Sequence, residues 1–217
     1  MRQLFYATTN PGKVMEVRQI MRTLGLDIVA PADLGMTYDV PEPGTTLEEN
    51  ALFKARAYLQ HLPPDEFVVI ADDTGVEIDA LGGEPGIRVR RWIGEGRMSD
   101  EAIITYCLAR LDGVPPERRG AQFRTVIAVG TDPDTLAIFE GTLRGVILEQ
   151  PDPLRIPGFP FESIFYVPEW KMLLGQVHQL PADQKARYLT HRERALRQAL
   201  PRIHALRDGR WSGQDAE

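Results

Sequence analysis

The run Phe67-Val68-Val69-Ile70-Ala71 carries no polar side chain and passes directly into Asp72-Asp73-Thr74-Gly75. A short, β-branched apolar run predicts a strand covered on both faces, as in a sheet flanked by helices rather than one with a solvated face. The N-terminal segment points the same way. Gln3–Thr8 predicts a strand, the TNPGK stretch a turn, and Val14, Val17, Met21 and Leu24 one face of a helix that Gly25 ends. Asp27–Ala30 predicts a second short strand. A strand–turn–helix–strand opening followed by a doubly covered strand predicts an α/β fold.

The rest of the chain fits that class. Residues 31–45 read as loop, and Thr46 with Glu49 has capping-box spacing for a helix over Leu47–Leu62, ended by Pro63-Pro64. The apolar strand is expected to end at Asp72-Asp73, and the Gly- and Arg-rich stretch 82–97 reads as an exposed loop. Ser99 caps a predicted helix reaching Leu111, and 121–148 predicts a hairpin turning at Thr131-Asp132-Pro133-Asp134. Phe161–Val167 predicts one more strand. Thr190 and Glu193 open a last helix to about Leu206, with Pro201 expected to kink or break it. No repeat or linker divides the chain, so one domain is expected over residues 1–207, followed by a fraying polar tail, 208–217.

Charge and composition exclude several classes. Acidic residues number 31 against 25 basic, a net charge of −6, which does not suit a duplex nucleic-acid binder but leaves room for a local basic site for a small anion. No apolar stretch is long enough to span a bilayer, and MRQLFYATTN reads as a strand rather than a secretory leader. The single cysteine, Cys107, excludes an internal disulfide framework and a cysteine-cluster metal site. A cytoplasmic protein without nucleic-acid or membrane partners is expected.

Four segments bear chemistry. Thr8-Thr9-Asn10-Pro11-Gly12-Lys13 joins a strand to a helix start, where amides, dipole and Lys13 can face an anion; taken alone, a plain βα turn with a surface lysine is the simpler reading. Asp72-Asp73 is a carboxylate pair after a buried strand, suited either to a hard cation or to an Asp-rich turn. Glu42 and Lys54 flank the start of a helix on which Asn50 and Lys54 share a face, while Glu48 and Glu49 suit its positive end. Thr190-His191-Arg192 combines a cap, a ring and a guanidinium at a helix start, which serves an anion, a polar ring or merely a capped surface helix.

In this order the segments TTNPGKVMEV, EPGTTLEENALFKA, ADDTGVEIDALGGEPG, PGFPFESIF and LTHRERAL resemble the Ham1-like inosine triphosphatase family. The resemblance implies an α/β fold with a mixed elongated sheet flanked by helices, two lobes with a central cleft, and a homodimer. It implies Mg²⁺-dependent hydrolysis (Mn²⁺ a possible substitute) of deaminated purine nucleoside triphosphates, such as those of inosine and xanthosine, to monophosphate and pyrophosphate. Residue by residue it implies Asp73 as the catalytic carboxylate and Glu42, Asp72 and Asp73 at the metal. Thr8, Asn10, Lys13, Lys54 and Thr74 fall at the triphosphate, and Phe159, Glu162, His191 and Arg192 at the base. The departures gather at the base end: Gly158-Phe159-Pro160-Phe161-Glu162-Ser163 replaces Gly-Phe-Gly-Tyr-Asp-Pro, and the family's lysine five residues before the histidine is Ala186 here, with Lys185 one residue further away. The altered 158–163 stretch motivates one alternative, a Maf-like pyrophosphatase for pyrimidine or modified nucleotides; a second, a nucleotide-binding protein without turnover, is argued against by the set Glu42, Asp72, Asp73 and Lys54.

Overall fold

The computed structural model describes residues 1–37 and 40–210. In chain order the elements are β1 (Gln3–Tyr6), α1 (Pro11–Thr23), β2 (Ile28–Val29), α2 (Leu47–Leu59), β3 (Phe67–Ile78), β4 (Pro85–Gly86), α3 (Asp100–Arg110), β5 (Gly120–Gly130), β6 (Ala137–Ile147), β7 (Phe165–Val167), β8 (Met172–Leu173), α4 (Leu174–His178), α5 (Ala182–Lys185) and α6 (His191–Arg207). The strands form a mixed sheet in the order β2-β1-β3-β5-β6-β7-β8, with β4 pairing β3. β1 runs parallel to β2 and β3, while β3–β4, β6–β7 and β7–β8 are antiparallel. This is the α/β class that the apolar run implies, with the mixed sheet that the resemblance implies. Among the described residues no helix is long and apolar enough to cross a membrane.

The chain divides into two compact units, one of Met1–Asp73, Thr125–Gly141 and Arg192–Glu217, the other of Thr74–Arg124 and Thr142–His191. The first unit packs Leu4, Tyr6, Val68 and Ile70 of the parallel strands against Val17, Ile20 and Met21 of α1 and Ala195, Leu196, Ala199 and Ile203 of α6. Asn10 starts α1 by accepting from the Gly12 and Lys13 amides, and Gly25, at φ 73°, turns the chain away after its end. Thr46 starts α2 by accepting from the Glu49 amide. The Glu49 side chain reaches Thr45 instead of Thr46, so only half of the predicted reciprocal box forms. α2 ends at Leu59 rather than Leu62, because the Tyr58 carbonyl accepts from the His61 and Leu62 amides and closes the last turn.

The second unit packs Val76 and Ile78 of β3, Ile103, Ile104 and Cys107 of α3, and Phe123, Leu143, Phe161 and Phe165. Arg119, buried at 4 % exposure, donates to the carbonyls of Ile147 (2.8 Å), Leu111 (2.8 Å) and Leu148 (2.9 Å). It thereby ties the end of α3 and the end of β6 to the start of β5. On β6, a Cβ at Gly145 would fall 2.5 Å from the Phe165 ring, so this glycine is required by close packing rather than by its dihedrals.

Further expectations are corrected, the exposed loop over 82–97 among them, since Pro85 is buried and Pro85–Gly86 pairs with β3 as β4. β3 does not end at Asp72-Asp73 but continues to Ile78, so the carboxylates are strand residues rather than turn residues. Of Phe161–Val167 only Phe165–Val167 is strand; Pro160–Ser163 form a single turn of 3₁₀ helix, started by a proline that suits a helix's first turn. α6 runs through Pro201 without a break, because residues on both sides of it, Ala199 and Ile203, are fully buried and outweigh one lost backbone bond. Of the predicted tail, the amides of Asp208, Gly209 and Arg210 still cap α6, and 211–217 lie outside the described residues.

Candidate active site

In the first unit, β3 brings Asp72 and Asp73 to the centre of a cluster of cations. Asp72 has no solvent exposure. Its Oδ1 accepts from the Tyr6 hydroxyl at 2.8 Å, and its Oδ2 faces Lys13 Nζ at 3.0 Å and Arg192 Nε at 3.1 Å. The same Arg192 donates through Nη1 to Glu16 on α1. Burial alone would raise the Asp72 pKa, but Lys13, Arg192, Lys54 and the Tyr6 bond overcome it and hold the carboxyl far below the usual range.

Asp73 is also buried, at 7 % exposure, and its balance has the opposite sign. Burial raises its pKa, reinforced by Glu42 and only partly offset by Lys54, Lys13 and a bond from Asn50. Asn50 Nδ2 donates to Asp73 Oδ2 at 3.0 Å, while Asn50 Oδ1 accepts from the Gly44 amide at 2.8 Å. Gly44 is required there, since a Cβ would lie 2.6 Å from that same oxygen. Lys54 Nζ donates to Glu42 Oε1 at 2.7 Å and to the Asp72 carbonyl at 2.6 Å, and lies 3.8 Å from Asp73 Oδ1. Burial works to discharge Lys54, yet Asp73, Glu42 and Asp72 raise its pKa on balance. Lys13 goes the other way, lowered chiefly by burial.

The expected residues thus fall into distinct surroundings. Lys13, Glu42, Lys54, Asp72, Asp73 and Arg192 come together in this cluster. Thr8 is buried, its Oγ1 accepting from the Asn10 amide at 3.3 Å. The Gly12 and Lys13 amides, expected to face an anion, are taken by the Asn10 side chain. In the second unit Thr74 follows on β3, half-buried, and Lys185 closes α5, buried. His191 stacks on Phe123 with ring centroids 4.5 Å apart and planes at 11°. Phe123 meets Phe161 edge-on at 6.3 Å. Phe159 is half-buried and Glu162 buried, its carboxylate bonded to His178.

Sequence reasoning missed Tyr6, Glu16, Phe123 and His178. Glu16 had a readable signal: it lies three residues after Lys13 and one before Val17, a charged residue on the buried face of α1. Phe123 and His178 had none, since their partners lie 68 and 16 residues away (191 − 123; 178 − 162).

The donor chemistry can be tested against a hard divalent cation. Glu42 and Asp73 converge on Lys54 with oxygen donors, the number of carboxylates that Mg²⁺ ordinarily takes beside phosphate oxygens. Asp72 is the departure from the expected trio, because both of its oxygens are engaged by the phenol and the two protein cations. Among the described residues, no group of three or more His, Cys, Asp or Glu is gathered as a ready metal cage. The fit is therefore to a cation held jointly by two carboxylates and a phosphate-bearing ligand.

The Ham1 family model matches residues 4–202. A dITP/XTP pyrophosphatase of Yersinia pseudotuberculosis is 40% identical over 96% of this chain and 100% of its own length. A dITP/XTP pyrophosphatase of Bacillus subtilis is 36% identical over 94% of this chain and 98% of its own. Among solved structures, the Staphylococcus aureus Ham1 protein superposes with a TM-score of 0.72 at 33% identity, covering 94% of this chain and 99% of that one.

Proposed function

The chain belongs to the Ham1 family, and from that premise we infer that it hydrolyses deaminated purine nucleoside triphosphates, those of inosine, deoxyinosine and xanthosine, to monophosphate and pyrophosphate. The relatives' activity as dITP/XTP pyrophosphatases supports the substrate class. The observation that carries the chemistry is the placement of Asp73, a buried carboxylate pinned on one oxygen by Asn50 and facing Lys54 beside Glu42.

In this reading Asp73 takes a proton from the water that attacks the α-phosphorus, and Asn50 keeps its carboxylate oriented for that step. Lys54 and Lys13 offset charge on the phosphates, and Thr8 and Thr74 border them. Asp72 accepts from Tyr6, Lys13 and Arg192 and so keeps Lys13 in place. Glu42 and Asp73 would hold Mg²⁺, with Mn²⁺ able to replace it. When bound, such a cation neutralises phosphate oxygens and makes the leaving pyrophosphate a better leaving group. Positioning and charge stabilisation of this kind are what phosphoryl-type transfer chiefly requires. Phe159 stacks on the base, His191 lies at its polar edge, and Lys185 is the lysine available to that end. The reading extends to one catalytic domain over residues 1–207, working as a homodimer in the cytoplasm.

The test is pyrophosphate release from inosine, xanthosine, guanosine, adenosine, deoxyuridine and deoxythymidine triphosphates, with Mg²⁺ and with excess chelator. Preference for the first two, abolished by the chelator, is expected. A pyrimidine preference would move the substrate class, and full activity in chelator would remove the cation from the reading.

A further inference from the structure

The stretch 158–163, where the chain departs most from the family pattern, is braced from neighbouring elements of its own unit. Glu162 is 2 % exposed, and His178 Nδ1–H donates to its carboxylate at 2.8 Å. His178 is the last residue of α4, and α4 lies tightly on this stretch: a Cβ at Gly175 would fall 2.9 Å from the Glu162 carbonyl oxygen. The His178 ring also meets Phe159 edge-on, with centroids 5.9 Å apart and planes at 65°. At the other end of the stretch, the Gly158 amide donates to Asp100 Oδ2 at 2.8 Å. Phe159 is therefore bracketed, by Asp100 through its preceding residue and by His178 through its own ring and through Glu162.

The extra methylene of glutamate over the family's aspartate lengthens the reach of this carboxylate, and here the carboxylate ends on a histidine. A buried carboxylate without its donor is costly, so loss of His178 would drive Glu162 toward water and take Pro160–Ser163 with it. We propose that His178 is a positioning residue for base recognition, holding Glu162 inside the fold and setting the ring of Phe159 through direct edge contact. The inference rests on the reading above, in which Phe159 stacks on the base. It also gives Glu162 a different task from contact with the base, that of a brace beneath the stacking residue.

A residue that sets the base end acts on substrate affinity rather than on the water attack, and this separates it from a merely structural one. The variants are His178→Leu, which fills the space but cannot donate, and His178→Asn, whose amide Nδ2–H can replace Nδ1–H. His178→Leu should raise KM for inosine triphosphate by about tenfold while lowering kcat much less, and should narrow selectivity over guanosine triphosphate. His178→Asn should restore most of the KM. If His178→Leu does not fold, the double variant His178→Leu, Glu162→Leu removes the unpaired charge and should show the same rise in KM. An unchanged KM in a folded variant lacking the bond overturns the inference, as does a parallel loss of kcat and thermal stability that His178→Asn does not reverse. A wild type that turns over no purine triphosphate overturns the functional reading itself, and the inference with it.

Discussion

Asp72 and Asp73 sit side by side on β3, both buried, with their protons held in opposite senses. Asp72, among Lys13, Arg192 and a phenol, is a permanent anion, and its value is in fixing those groups. Asp73, with fewer compensating cations, retains basicity. Asp73→Asn keeps the size and a bond to Asn50 but removes that basicity, so kcat should fall by about 10²–10⁴-fold with the fold unchanged by circular dichroism. Arg192 is the counterpart of Asp72. Arg192→Met would leave Glu16 and Asp72 as buried anions, and urea unfolding should show a loss of about 3–5 kcal/mol. Cys107 makes a prediction about pH. Burial pushes its thiol up to about 12, so the fold favours the protonated form, and its contribution to stability is lost as pH rises from the unfolded value of about 8.5 toward the folded one. Iodoacetamide at pH 8.5 should leave Cys107 unlabelled in the folded protein and label it readily in denaturant; rapid labelling of the folded protein would contradict this.

At the scale of elements, the antiparallel part of the sheet depends on a glycine with no conformational excuse. Gly145→Ala would place a methyl 2.5 Å from the Phe165 ring and 2.6 Å from the Tyr166 carbonyl oxygen, so β6 and β7 would have to part. The expected cost is about 1–3 kcal/mol, read as a lowered denaturant midpoint. Elements whose information is local were legible in the chain: the caps Asn10, Thr46 and Ser99, the apolar run of β3 and the hairpin of β5 and β6. The extension of β3 through Asp72-Asp73 was not, because adjacent carboxylates tolerate a sheet interior only when cations arrive from α1, α2 and α6, up to 120 residues away. The path of α6 through Pro201 was hidden for a similar reason, since apolar packing from distant strands overrides a local breaker. The residues of the candidate cluster could be named from motif order, through the resemblance that order carries. Which of its carboxylates is engaged by protein cations and which retains basicity could not, since that depends on distances between segments far apart in the chain.

At the scale of the whole molecule, the two compact units are interleaved along the chain, which passes between them four times. Each passage falls inside or beside a regular element: Asp73-Thr74 within β3, Arg124-Thr125 within β5, Gly141-Thr142 within β6 and His191-Arg192 at the start of α6. None is a Pro-, Gly- or Ser-rich linker of the kind that proteases nick between domains. Limited proteolysis should therefore clip exposed segments such as 93–97 without releasing a stable fragment that matches either unit. A folded fragment ending near Asp73 would contradict this.

The placement of those passages has a consequence for how such a chain can be altered by recombination. A unit written in contiguous sequence can be exchanged between relatives as a cassette, with one join at each end. Here any exchange of one unit would need four joins, each cutting a hydrogen-bonded strand or the first residues of a buried helix. The segment that carries Phe159, Glu162 and His178 is an exception, because all three lie in one uninterrupted stretch, Thr142–His191, of a single unit. On the reading in which Phe159 stacks on the base, base preference should pass between relatives as one piece, with Asp73, Lys54 and Glu42 left where they are.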